Sequence, residues 1–258
     1  MSAAVPWYFL PQFRPARLQD CVLWLESGSF SGGIWRNLAP NYSDRNHGTA
    51  HGGVGLTPWH SQFSPVPTFY GDEYVAVPDD DCLDITGEIT TEVWVKPKVS
   101  DSIFRPVVSK YQSSEDQRSW WLGCSSGSWR FYISQNGLDN KYVKASLSLN
   151  TWQHVVAIFN PATGNDLFLY ANGVLKDSED TDYSHLFSNN ISVYIGEYDI
   201  GSGKNFNGTI PLVRIYKAAL TPAEIRHNYT HHPLYYLQRG IDPYEVIAAA
   251  TAAATPSI

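Results

Sequence analysis

TWQHVVAIFNPATGNDLFLYANG, residues 151–173, is the stretch whose reading decides the fold class. Val155 to Phe159 is an unbroken apolar run of strand length. A second strand, Asp166 to Ala171, follows after Pro161, Gly164 and Asn165. Two strands around such a cluster read as a β-hairpin. The first run is apolar on both faces, so it belongs inside a layered structure and not on a sheet with one wet side. In the second, Leu167 and Leu169 share one face and Phe168 and Tyr170 the other, because side chains alternate along a strand. Asn172-Gly173 supplies residues that tolerate positive φ for a tight exit turn.

On either side of the hairpin, strands are expected at about 73–77, 88–97, 106–111, 119–124, 129–134, 141–147, 191–195 and 209–216, with Cys21 to Leu25 as the first. Ile191, Val193 and Ile195 alternate with Ser192 and Tyr194, the pattern of a strand with one buried face. One helix is signalled: Thr221-Pro222-Ala223-Glu224 combines an N-cap hydroxyl, proline at the first helical position and glutamate at the third, a capping box. It should end near Tyr229.

Length and charge narrow the classes. A chain of 258 residues suits one all-β sandwich, which can run to roughly 200–250 residues. The net charge of −7 leaves no basic cluster to neutralise phosphates, so no nucleic-acid partner is expected. No apolar stretch approaches the ~20 residues of a membrane helix. Cys21, Cys82 and Cys124 are odd in number and show no zinc spacing, which reads as reduced thiols. The first residues lack a basic region and are broken by Pro6 and Pro11, so no signal peptide is expected.

Four segments carry a family resemblance. They are Phe69 to Pro78 (FYGDEYVAVP), Ile89 to Pro97 (ITTEVWVKP), the hairpin above, and Phe206 to Ile225, which holds FNGTI, VRIY and ALTPAEI. In this order they resemble the laminin G-like, concanavalin A-like lectin and glucanase jelly rolls. Asp44 to Ala50 resembles that family's long rim loop. The resemblance covers Cys21 to Tyr229 and implies an antiparallel two-sheet jelly-roll sandwich with one short C-terminal helix. The expected organisation is an N-terminal arm, 1–19, a jelly-roll domain, 20–232, and a C-terminal arm, 233–258.

The fold hosts lectins, glycanases, adhesion modules and virion proteins, so function must be argued from sites. Laminarinase-type relatives carry two glutamates in E-x-D-x-x-E. Here Glu197 and Asp199 occupy the first two places, but Ser202 stands at the third, so no catalytic pair is expected. Calcium is the family's common ion. The acidic run with Asp79 and Asp81 is the candidate ligand set, while Pro211 replaces a frequent family aspartate. For a glycan, Trp120, Trp121, Arg130 and Tyr132 are the stacking candidates. Adjacent tryptophans in a strand must face opposite ways, one into the core and one outward. Prolines keep both arms extended, and the arms carry Trp7, Tyr8, Phe9 and Phe13 on one side and Leu234, Tyr235, Tyr236 and Tyr244 on the other. Such apolar area favours packing on other chains.

The first functional expectation is therefore a non-enzymatic component of a larger assembly, such as a decoration or surface protein of a phage or virus capsid. Its partners would be copies of itself or particle proteins, and its location a virion surface. The alternative is a calcium-dependent, lectin-like module binding glycans, with an extracellular location. A glycoside hydrolase stands third.

Overall fold

The computed structural model describes residues 7–10, 13–164, 166–198, 201 and 203–254. In chain order the strands are β1 Cys21–Ser31, β2 Ile34–Asn37, β3 Gly48–His51, β4 Gly55–Thr57, β5 Val66–Tyr70, β6 Tyr74–Val77, β7 Ile89–Pro97 and β8 Arg105–Gln112. They continue as β9 Gln117–Ser125, β10 Ser128–Gly137, β11 Lys141–Ser146, β12 Gln153–Phe159, β13 Leu167–Ala171, β14 Val174–Glu179, β15 Val193–Ile195 and β16 Asn207–Tyr216. Three helices follow: α1 Pro222–Thr230, α2 Pro233–Leu237 and α3 Pro243–Ala254. The pairings are antiparallel throughout.

The hydrogen-bonded order is β11-β10-β9-β8-β15-β6-β3-β2-β1-β16-β7-β12-β13-β14. This ladder folds over on itself as a jelly-roll sandwich. Val107, Trp120, Leu122, Trp129 and Phe131 of one half share a core with Val93, Val95, Val155, Ala157, Val213 and Ile215 of the other. The stretch from Gly28 to Pro67, in which Asp44 to Ala50 resembles a rim loop, contains the end of β1, the short strands β2 to β4 and the start of β5. In the FYGDEYV motif Glu73 acts locally. Its Oε2 accepts the amides of Tyr70, Gly71 and Asp72 at 2.6, 3.1 and 3.3 Å and so closes the β5–β6 turn.

The central hairpin forms as expected, with Val155 opposite Ala171 and Phe159 opposite Leu167, and it exits through Asn172 and Gly173 at positive φ. Its doubly apolar first strand now has a reason. Val155, Ala157 and Phe159 enter the core, while Val156 and Ile158 enter a second cluster with Trp94, Tyr170, Leu212, Tyr216, Ile225, Tyr229 and Leu234. The outer face of this sheet is thus covered by α1, α2 and the N-terminal segment. The capping box of α1 is formed, Glu224 N donating to Thr221 Oγ1 and Thr221 N to Glu224 Oε2.

The arms depart from expectation. Pro233 and Pro243 begin helices, since proline's missing N–H costs nothing in a first turn. Several arm aromatics pack on their own domain. Tyr8 packs edge-on to Trp24 at 6.0 Å, Trp7 edge-on to His232 at 5.1 Å, and Phe13 edge-on to Trp7 at 6.1 Å. Tyr8, Phe13 and Leu234 are buried against their own domain, Tyr235 and Tyr236 are half-buried, and Tyr244 is exposed. The expectation of inter-chain packing is corrected for the buried ones: the outer face of the sheet is apolar and takes them in. The Phe9 side chain, residues 1–6 and residues 255–258 lie outside the described residues.

Inside this covered layer lies a buried carboxylate. Glu92 on β7 pairs in register with Arg214 on β16, whose Nη1 reaches Oε1 at 3.1 Å. His154 Nε2 on β12 is 2.8 Å from the same oxygen. Tyr216 OH and Asn228 Nδ2 donate to Oε2 at 3.0 and 2.9 Å, and Asn228 Oδ1 in turn accepts the amide of Ala16 at 2.7 Å. Burial pushes the Glu92 carboxyl up, but Arg214 and the His154 and Tyr216 hydrogen bonds outweigh it and hold it at about 2. Burial, chiefly, drives His232 the other way, below 6.5.

Replacing Ile158 with alanine should cost about 2–5 kcal/mol in urea unfolding. A loss below ~1 kcal/mol would place Ile158 outside the packed layer. The pKa shifts define two pH windows. The unfolded chain takes up the His232 proton below 6.5, where the folded chain refuses it, so stability should begin to fall there. Glu92 is more acidic folded than its ordinary 4.5, so its contribution is complete above 4.5 and is lost as the pH falls toward about 2. The urea midpoint should follow both windows, and a His232→Phe variant should lose the first; an unchanged decline in that variant would refute the assignment.

Candidate functional site

The opposite sheet presents the other outer face, and there the rings are arranged by register. Tyr132 on β10 stands directly opposite Trp121 on β9 and Tyr142 on β11. Their rings form an offset stack, Tyr142 to Tyr132 at 4.7 Å and Tyr132 to Trp121 at 5.0 Å, and Tyr198 continues it beyond Trp121 at 6.2 Å. Phe104 meets Trp121 and Tyr132 edge-on, each at 5.8 Å. Gly123, two residues along β9 on the same face, makes room: a Cβ there would lie 2.6 Å from Trp121 Cζ3.

Above the stack opens a cleft of about 400 Å³ whose walls include Phe104, Tyr111, Trp121, Tyr132 and Tyr198, with Arg118, Asn140 and Lys204 as polar neighbours. Tyr111 OH donates to Asn140 Oδ1 at 3.2 Å, Arg130 Nη1 donates to Tyr132 OH at 3.1 Å, and Lys204 Nζ stands 5.3 Å over the Tyr198 ring. Burial raises the Tyr111 and Tyr132 phenols, against the lowering effect of their Asn140 and Arg130 hydrogen bonds, so both are neutral hydroxyls at ordinary pH. Apolar walls with a few fixed polar groups are the usual make-up of a ligand site.

The sequence candidates divide here. Trp120 is core, 1% exposed, and offers nothing to a ligand; Trp121 faces outward, yet it is only 3% exposed. Because Tyr132 and Tyr198 bracket Trp121, neither tryptophan presents an open face. The exposed rings are Phe104 and Tyr142, which the sequence reading passed over. Arg130 lies between them, 5.9 Å from the Phe104 ring centre and 5.4 Å from that of Tyr142. Tyr111, Tyr142 and Tyr198 were legible as strand or loop tyrosines, but only cross-strand register brings them to Trp121.

The acidic run is differently used. Lys110 on β8, its side chain 2% exposed, places Nζ against Asp79 Oδ1 and 2.9 Å from Asp84 Oδ1, and donates to Ile191 O at 2.8 Å. An ammonium therefore sits against Asp79, one of the two candidate calcium ligands, and joins it to Asp84. Asp81 is exposed at the start of a single 3-10 turn capped by Asp80. Among the described residues no group of three or more His, Cys, Asp or Glu side chains could hold a metal ion. Glu197 is buried, its Oε1 accepting the amide of Tyr198 at 3.2 Å, while Asp199 and Ser202 lie outside the described residues. The three cysteines are free thiols, and burial pushes Cys82 and Cys124 up to about 12.

The model of the concanavalin A-like lectin/glucanases superfamily matches residues 69–226, and the chain belongs to that superfamily. No curated protein matches it in sequence. Among solved structures, it is similar to the binding domain of Paraclostridial Mosquitocidal Protein 1, with a TM-score of 0.65 and 16% identity over 83% of this chain and 52% of that one. Domain 4 of AbnA, a GH43 extracellular arabinanase from Geobacillus stearothermophilus solved with arabinotriose, gives a TM-score of 0.60 at 16% identity, over 81% of this chain and 98% of that domain. The ligand-binding domain of botulinum neurotoxin serotype D, solved with N-acetylneuraminic acid, gives 0.65 at 13% identity, over 84% and 52%. The chain thus spans about half the length of the toxin domains. These likenesses establish the fold.

Lys110→Met removes the cation between Asp79 and Asp84 and should cost about 1.5–3 kcal/mol, the range for losing a hydrogen bond to a charged group. Millimolar calcium should leave the melting temperature of the native chain unchanged. A calcium-dependent rise would mean that these carboxylates are available to a metal after all.

Proposed function

We propose that the chain is a non-enzymatic carbohydrate-binding module whose ligand lies in the cleft over Trp121. The observation that carries this reading is the asymmetry of the two outer faces. One is covered over most of its apolar area by helices and the N-terminal segment, while the other leaves an aromatic cleft with convergent polar groups open to solvent. Phe104 in the cleft wall and Tyr142 beyond Tyr132 at the end of the stack supply exposed ring area for the apolar face of a sugar, and Arg118, Asn140 and Lys204 supply donors and acceptors for hydroxyls. The arabinotriose and N-acetylneuraminic acid complexes of the two structures named above support a saccharide ligand. Burial of the Glu197 carboxyl supports a role without hydrolysis. With Lys110 seated between Asp79 and Asp84, binding would need no calcium at that position.

A protein ligand is the second reading; a botulinum neurotoxin DC binding domain of the same fold is known in complex with rat synaptotagmin II. A place on a phage or virus particle rested chiefly on apolar arms free to meet other chains; in the C-terminal arm Ile241, before α3, and Tyr244, in its first turn, are exposed.

Glycan-array screening followed by calorimetry should find an oligosaccharide whose affinity falls about tenfold or more in Tyr142→Ala and Phe104→Ala, at unchanged melting temperature and with EDTA present. Binding that survives both substitutions, or that EDTA abolishes, would overturn the reading.

A further inference from the structure

A second cavity, of about 530 Å³, lies on the other sheet, where the start of β12 meets α1 and the residues following α2. Asn150, Thr151, Trp152, Asn172, Tyr229 and Arg239 line it. Its two sides are tied together: Gln238 Nε2 donates to Trp152 O, and Tyr229 OH donates to Gln238 Oε1 at 3.1 Å. Arg239 is held without any anion. Its guanidinium lies 3.5 Å over the Tyr235 ring and 5.6 Å from that of Tyr229; Nη1 donates to Tyr235 O at 2.9 Å, and Nη1 and Nη2 make long hydrogen bonds of 3.4 Å to Tyr229 OH. Lys96 Nζ stands 5.7 Å over the Trp152 ring. Among the described residues neither cation has a carboxylate within ion-pair distance.

The polar groups around them are partly engaged and partly open. Asn172 Oδ1 accepts the amide of His154 at 3.0 Å, which leaves its amide nitrogen unused within the described chain. The Asn150 side chain makes no hydrogen bond among the described residues, and Thr151 Oγ1 donates to Leu149 O at 3.2 Å and can still accept. A guanidinium held over an aromatic ring keeps N–H groups for a carboxylate, which would displace the long Tyr229 hydrogen bonds. An indole beside it takes the apolar face of a ring, and free amides match hydroxyls.

We propose that this groove is a binding site for a carboxylated saccharide of the uronic-acid type, with the carboxylate on Arg239, the pyranose face against Trp152 and hydroxyls on Asn150 and Asn172. A bare anion would use Arg239 and leave the indole and amides without a role; a neutral sugar would leave the cations without one. The site is separate from the cleft over Trp121 and does not rest on that assignment.

The full chain should be titrated with methyl glucuronide, methyl glucoside, acetate and a short peptide with a free C-terminal carboxylate, following tryptophan fluorescence and the Trp152 indole resonance. Methyl glucuronide should bind and shift Trp152, with the glucoside and acetate each weaker by about tenfold or more, the worth of one charge-assisted hydrogen bond. Arg239→Gln should lose the binding, Arg239→Lys should recover part of it, and Tyr142→Ala should leave it intact. Equal binding of glucoside and glucuronide, equal binding of acetate, tighter binding of the peptide, no binding of the glucuronide at millimolar concentration, or full affinity in Arg239→Gln would each overturn the proposal. Loss in Tyr142→Ala alone would assign the signal to the other cleft and overturn it too.

Discussion

Glu92 is a carboxylate with no access to water, and that constraint organises the covered side of the sandwich. A charge in such a place is tolerable only when paired and fully hydrogen-bonded. Arg214 supplies the charge from the neighbouring strand, His154 a ring nitrogen from the next, and Tyr216 and Asn228 two donors from the end of β16 and from α1. Asn228 passes the connection to the backbone of Ala16. One carboxylate thus joins three strands, a helix and the N-terminal segment. An apolar substitute could fill the volume, but it would not dictate which strand meets which helix.

With that layer assembled, the two outer faces have different fates. The face over β12 needs a cover because Val156, Ile158, Trp94 and Leu212 point outward from the sheet, and the helices and Tyr8 provide it. The face over β9 and β10 carries rings that cover one another across the strands, so it can remain open. Aromatic stacking here acts first as self-protection: it hides the flat area of Trp121 and leaves edges, hydroxyls and the outer rings of Phe104 and Tyr142 at the surface. That division leaves the cleft open to a ligand without loosening the core.

Lys110 obeys the same rule of paired charge. Its ammonium lies almost wholly inside the protein, between Asp79 and Asp84, and a backbone carbonyl takes a further proton. An acidic run that looks like a metal site in one dimension becomes an internal ion pair in three. The partner comes from 31 residues away, and nothing near Asp79 in the chain announces it.

The amino-acid order alone determined the hairpin at Val155 to Ala171, the capped helix at Thr221 and the alternation that puts Trp120 and Trp121 on opposite faces. Each of these depends on neighbours within a few positions, where the periods of strand and helix act directly. Only the tertiary structure decided the partners of Glu92 and Lys110, the stacking of Tyr142, Tyr132, Trp121 and Tyr198, and the folding of both terminal segments onto their own sheet. Those outcomes depend on which strands become neighbours and in what register, and a local pattern carries no record of a contact with a residue a hundred positions away.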